Sequence, residues 1–181
     1  VGSEMCIRDS GEEVVNFALR WPENYPSEYE SYFPESKETR SELLKPVKNI
    51  INYFNNREAA RKLEQLIEKE RPDLAHMHLI WGQITGSILP VLKRHNVPII
   101  FSIHDYRIVC PAYTFRNGKG EICEQCRGRN FYHCVINKCT KDSYLLSVMM
   151  AIEQCYRNRF FNPAEYIDGP VSYTHLRAHE T

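Results

Sequence analysis

Apolar residues along this chain alternate between a three-to-four spacing and short unbroken runs, which predicts helices and buried strands in turn. Leu43, Leu44, Val47, Ile50, Ile51 and Phe54 keep the helical spacing, and Ala59, Leu63, Leu66 and Ile67 resume it. Asn55 with Glu58 three residues on resembles a capping box, and Arg71-Pro72 closes the second helix. Residues 73–80 are mostly apolar over a strand's length. Residues 85–95 read as a helix, weakened by Gly86 and Pro90. Residues 97–104 form a β-branched run without alternation, as suits a parallel strand buried on both faces.

The flanks are less regular. Residues 12–19 form a short apolar run expected to be a strand, and 21–37, with three prolines, is expected to be an exposed irregular excursion. A last helix is expected over 143–160, capped by Ser143, with Leu145, Leu146, Val148, Met149, Ile152 and Tyr156 on its apolar face. Helix, strand, helix, strand with short connections implies an α/β fold: a Rossmann-like parallel sheet with helices on both faces, plus an irregular cysteine-rich loop. In such sheets ligands bind at the C-terminal ends of the strands, where His78 and His104 fall.

Charge and composition narrow the function. Among 181 residues, 43% are hydrophobic, enough for one domain with a real core. Twenty-three basic residues balance twenty-three acidic ones, so no overall field attracts nucleic acid or an anionic membrane. No apolar run approaches the roughly 20 residues of a membrane span, and no secretion signal is recognisable. A cytoplasmic protein with reduced thiols is expected. Residues 1–10 and 171–181 resemble translated sequencing-adapter read-through, which leaves 11–170 as the native stretch, a fragment truncated at both edges. On that reading Cys6, His175 and His179 carry no function.

Five of the seven cysteines fall within 110–139, directly behind the strand that ends at His104. Cys123 and Cys126 form a C-x-x-C knuckle, with Cys110 twelve intervening residues before it and Cys139 twelve after it. Four thiolates in that spacing suit tetrahedral zinc, with Cys134 as an alternative ligand. Unligated thiols and disulfide or redox chemistry are the other readings, although a thioredoxin-type site would open a helix, which this charged, glycine-containing loop does not. His104 is the first candidate for polar chemistry, His78 the second, and His76 a weaker third. Asp105 can orient a neighbour or cap the loop. There is no phosphate loop, no G-x-G-x-x-G, no H-E-x-x-H and no G-x-S-x-G elbow.

Taken together, residues 72–78, the 97–106 strand with its His104-Asp105-Tyr106 ending, and Cys110-Pro111 with the C-x-x-C loop resemble the N-terminal domain of GT-B glycosyltransferases of family 4. The likeness covers roughly residues 11–168 and is most specific over 73–143. It is closest to a bacterial polysaccharide-biosynthesis group, and Gly11-Glu12-Glu13-Val14-Val15 looks like the family's second strand.

The resemblance implies sugar transfer from a nucleotide donor, a UDP- or GDP-sugar, to a glycan or lipid-linked acceptor, with retention and without a catalytic metal. His104 matches the histidine that reaches the donor sugar, with His78, Asp105 and Tyr106 as substrate-side residues. The family thiols correspond to Cys110, Cys123, Cys126 and Cys139, which would staple the cleft rim through structural zinc. The donor-binding C-terminal domain and the first strand with its glycine-rich loop are missing from the match, so this chain alone is expected to be inactive. The resemblance is compatible with peripheral association at the cytoplasmic face of the inner membrane. Two competing readings are a zinc-stabilised module that binds nucleic acid or protein through Arg127, Arg129, Lys138 and Lys141, and a hydrolase using His104 and Asp105. The first has its charge interrupted by Glu121 and Glu124. The second lacks an identifiable nucleophile.

Overall fold

The structure is a computed structural model, and it describes residues 11–36 and 51–172. Its centre is a three-stranded parallel sheet in the order β1-β2-β3, formed by Ala75–His78, Ile99–Ile103 and Gly169–Ser172. β2 lies in the middle, with Met77 opposite Phe101 on one side and Phe101 opposite Pro170 on the other. β3 takes in Val171 and Ser172, so the sheet runs two residues past the expected native boundary.

Helix α1, Arg57–Glu70, buries Ala59, Leu63, Leu66 and Ile67, the four residues whose spacing predicts it. Its cap is Asn56 and not Asn55: the Asn56 Oδ1 accepts from the Ala59 N–H at 3.1 Å, and its Nδ2 donates to the Gln83 carbonyl at 2.6 Å. Leu43, Leu44, Val47 and Ile50 lie outside the described residues. The helical residues 51–54 that follow them pack toward the last long helix, with Phe54 edge-on to Tyr156 at 5.5 Å.

The expected 85–95 helix divides into a 3₁₀ turn, Gly86–Ile88, and a short α2, Leu89–Arg94. Gly86 is required by close packing, because a Cβ there would fall 2.7 Å from the Phe161 Cβ. Pro90 sits in the first turn of α2, where its missing N–H costs no helix bond. After β2 come an irregular loop, then α3, Tyr132–Ile136, then α4, Tyr144–Phe160, and the single turn α5, Pro163–Tyr166. Ser143 caps α4 as expected, accepting from the Leu146 N–H at 3.4 Å.

The core gathers on one face of the sheet, where Met77, Ile99 and Phe101 meet Leu63 and Ile67 of α1 and Ile88, Leu89 and Leu92. Burying each such side chain contributes about 1.5–3 kcal/mol. The alternating residues His76, His78 and Ile100 on the other face are exposed or half-buried.

Two expectations fail in the N-terminal stretch. Residues 12–19 pair with no strand among the described residues; Val15, Phe17 and Ala18 are satisfied by packing instead, around Tyr29, Phe33 and Leu66. The 21–36 segment is correspondingly less exposed than its prolines suggest. Tyr29 and Phe33 are buried, and Lys62 of α1 donates to the Phe33 carbonyl at 2.6 Å.

Asn56→Ala removes the α1 cap and the bond that Asn56 donates to the Gln83 carbonyl. A loss of about 2 kcal/mol is expected in urea unfolding, the sum of a typical cap and one buried hydrogen bond. Asn55→Ala should cost clearly less.

Candidate functional site

β1 ends at His78 and β2 ends one residue before His104, so the sheet brings both imidazoles to its C-terminal edge. His78 Nδ1 and His104 Nε2 lie 2.9 Å apart, one nitrogen donating and the other accepting. His76 extends the row along the same strand face, its ring centroid 4.4 Å from that of His78 and its Nε2 2.8 Å from Ser102 Oγ. Burial, and then the neighbouring His76 and His104, holds the His78 imidazole below its usual pKa. A neutral His78 can both donate and accept at neutral pH. Leu79 follows at φ 41, a left-handed conformation that ends the strand.

The loop after His104 is closed by its own main chain. Asp105 Oδ1 accepts from the Arg107 N–H at 2.9 Å, so this carboxylate shapes the turn. The Tyr106 carbonyl accepts from Cys110 N at 2.8 Å and Val109 N at 3.0 Å. The Tyr106 ring, half-exposed, stacks against Phe115 with centroids 4.5 Å apart, which ties the loop to the cysteine-rich segment.

Helix α4 fixes this loop with a buried polar stripe. Gln154 Nε2 donates to the Ile108 carbonyl at 2.8 Å, and Arg157 Nη2 donates to the Arg107 carbonyl at 2.9 Å. Arg157, only 2% exposed, also pairs with Glu153 at 3.1 Å and donates to Gln154 Oε1. Its guanidinium carbon stands 4.3 Å from the Trp81 ring centroid; Nη1 has no hydrogen-bond acceptor, and the indole face supplies a cation–π contact in its place. Burial draws the Arg157 pKa down, with the Glu153 carboxylate opposing.

This reverses the face expected of α4. Ser147, Met150, Ala151, Glu153, Gln154 and Arg157 are buried, while Leu145 is 78% exposed and Val148 and Ile152 also face outward. The polar residues point inward because the loop carbonyls and each other satisfy them there. Gln154 and Arg157 were missed as contributors to the site, although Ser147, Gln154 and Arg157 carry the same helical period as the apolar set.

The cysteines also converge. Cys110 and Cys134 are buried in a small cluster with Ala112, against which Phe115, Cys126 and Cys139 pack. Cys123 is half-exposed, and Cys155 stands exposed on α4. The thiols are free, and among the described residues no three His, Cys, Asp or Glu side chains form a ready-made metal shell. Burial, reinforced by the neighbouring thiols, pushes Cys126 up to about 11 and Cys134 up to about 12. A groove lined by Ile67, Arg71, His95 and Val97 opens at the opposite end of the sheet, where the strands begin.

Two outcomes are expected. The His78 ring protons should titrate below the ordinary value of about 6.5 in an NMR pH series. Because the unfolded chain then takes up a proton that folded His78 refuses, stability should fall as pH drops from about 6.5 toward the folded pKa, and His78→Asn should flatten that slope. Arg157→Met leaves the Glu153 carboxylate buried without its cation, and a loss of about 3–5 kcal/mol is expected in denaturant unfolding. Arg157→Met combined with Glu153→Gln should recover part of it.

No protein-family model matches the chain, and neither a curated protein nor a solved structure matches it.

Proposed function

We propose that this chain is the acceptor-side domain of a retaining, nucleotide-sugar-dependent glycosyltransferase of GT-B architecture, acting in cell-surface polysaccharide or glycan biosynthesis. The observation that carries the reading is the His78–His104 pair at the C-terminal edge of a parallel sheet, 2.9 Å apart and followed directly by a loop that turns toward the thiols. Parallel α/β sheets place ligands at that edge. In a full Rossmann-like domain further helices would cover the half-exposed face that carries His76 and Ile100.

The chemistry asked of the pair is modest. His104 would hydrogen-bond a hydroxyl or ring oxygen of the donor sugar as charge develops at the anomeric carbon, and His78 would hold its ring in place. The half-exposed Tyr106 ring offers an apolar face on which an acceptor sugar would lie, directly after the turn that Asp105 closes. The UDP- or GDP-sugar itself would be held by a second domain, with no metal in the transfer step, so this chain alone would be inactive. Its place of work would be the cytoplasmic face of the membrane that carries the acceptor.

The test is sugar transfer from labelled UDP- and GDP-sugars by the complete protein that contains this segment. His104→Ala should lower kcat on the order of 100-fold, as for removal of a single preorganised donor in a transition-state site. Unchanged transfer by that variant removes the role of His104. No transfer or hydrolysis of any nucleotide sugar by the folded complete protein overturns the reading.

A further inference from the structure

Arg107 stands three residues after His104, and its main chain is anchored on both sides. Asp105 Oδ1 accepts from its N–H at 2.9 Å, and its carbonyl accepts from Arg157 Nη2 at 2.9 Å. The side chain, by contrast, is placed by neighbours that take no hydrogen bond from it. Its guanidinium carbon stands 5.3 Å from the centroid of the Tyr113 ring, and its Nη1 lies beside Gly82 in the loop that follows β1. A Cβ at position 82 would fall 4.0 Å from that nitrogen, and the φ of 104 there strains any other residue, so no side chain from this position covers the guanidinium.

The cations gathered here outnumber the acceptors that meet them. No carboxylate among the described residues pairs with the Arg107 guanidinium, and Asp105 spends Oδ1 on the main chain. Glu153, the one carboxylate of α4, is bound to Arg157. The Arg107 Nε is closed off from solvent without an acceptor, and so is Arg157 Nη1. Burial draws the Arg157 pKa down, Glu153 opposes this, and Arg107 adds to the fall, so each guanidinium lies in the other's field. The half-buried Tyr53 shares that field, and its hydroxyl meets only the Met150 Sδ, a weak acceptor, at 3.3 Å. A surface arginine without a ligand keeps its charged head in water. Withdrawing a donor from water with no acceptor is costly, and the placement calls for a group that the chain itself does not supply.

We propose that Arg107 binds an oxyanion, a phosphate or carboxylate group of a substrate, at the C-terminal edge of the sheet beside His104. The half-buried guanidinium would donate to it from the Nη end, and the Tyr113 ring on which it lies is 42% exposed, which leaves an approach along that ring. Charge-assisted bonds from a guanidinium held in place before binding suit such oxygen groups. Arg157, shut in behind, would touch no ligand; it holds the Arg107 carbonyl and adds its charge, which makes it a positioning residue. On the transferase reading the anion would belong to the acceptor, whose sugar would lie on Tyr106. The site itself does not rest on that reading: an anion bound by a protein that transfers no sugar leaves it intact, and an active transferase whose Arg107 binds none removes it alone.

The test is an NMR titration of the whole chain, read at the assigned side-chain Nε–H of Arg107. Sodium phosphate or sodium acetate should shift that signal saturably, and sodium chloride at equal ionic strength should not. Whichever anion acts at the lower concentration identifies the group as phosphate or carboxylate. Arg107→Gln should weaken binding of that anion about tenfold or more, as for loss of a charge-assisted hydrogen bond. Arg159→Gln, which removes an exposed cation of α4 outside the cluster, should leave it unchanged. The titration of the unaltered chain does not depend on any variant folding. Absence of a saturable shift with both anions overturns the proposal, as does an equal shift with chloride or equal weakening by the two substitutions.

Discussion

Two side-chain donors on one helix hold the working end of this fold in place. Gln154 and Arg157 of α4 each bind a carbonyl of the loop that leaves β2, at Ile108 and Arg107. That loop begins at His104 and ends at Cys110, so the same pair of bonds sets the exit of the imidazole site and the entrance of the thiol cluster. The stripe can be buried only because its groups are mutually satisfied. Glu153 balances the guanidinium charge, Gln154 links carbonyl to guanidinium, and Trp81 covers the remaining cationic face. Such a network is costly to leave half made. The geometry of the histidines and of the thiols therefore depends on one helix face remaining intact.

What could be read from the sequence was what local periodicity encodes. The four buried residues of α1, the β-branched run of β2 and the Ser143 cap each follow from neighbours a few positions apart, and the structure places them accordingly. The arrival of His78 and His104 at strand ends was legible for the same reason. Their mutual hydrogen bond was not, because it depends on the register of β1 against β2, which seats His78 opposite Ser102. The buried face of α4 was misread because hydrophobicity alone ranked its sides, whereas carbonyls nearly fifty positions upstream decide the matter. Tyr29 and Phe33 were likewise assigned to the surface, since their partner Leu66 lies a whole helix away in sequence.

The site combines two materials with different tolerances. The imidazole row lies on the more exposed side of the strands, where a polar ligand can approach. The thiols are withdrawn into a small cluster whose surroundings keep them neutral in the free chain. Between them the Tyr106–Phe115 stack couples the two regions mechanically.

The contact of Gly86 with Phe161 ties the end of α4 to the turn before α2. Because Phe161 follows α4 directly and Gly86 opens the turn before α2, the missing Cβ lets the C-terminal end of α4 sit close against that turn. A single methyl group at position 86 would act as a wedge at one end of a seventeen-residue lever, displacing Arg157 within a turn of the fulcrum. The placement of Arg157, and with it the loop it holds, therefore also rests on a residue lying outside both the imidazole row and the thiol cluster.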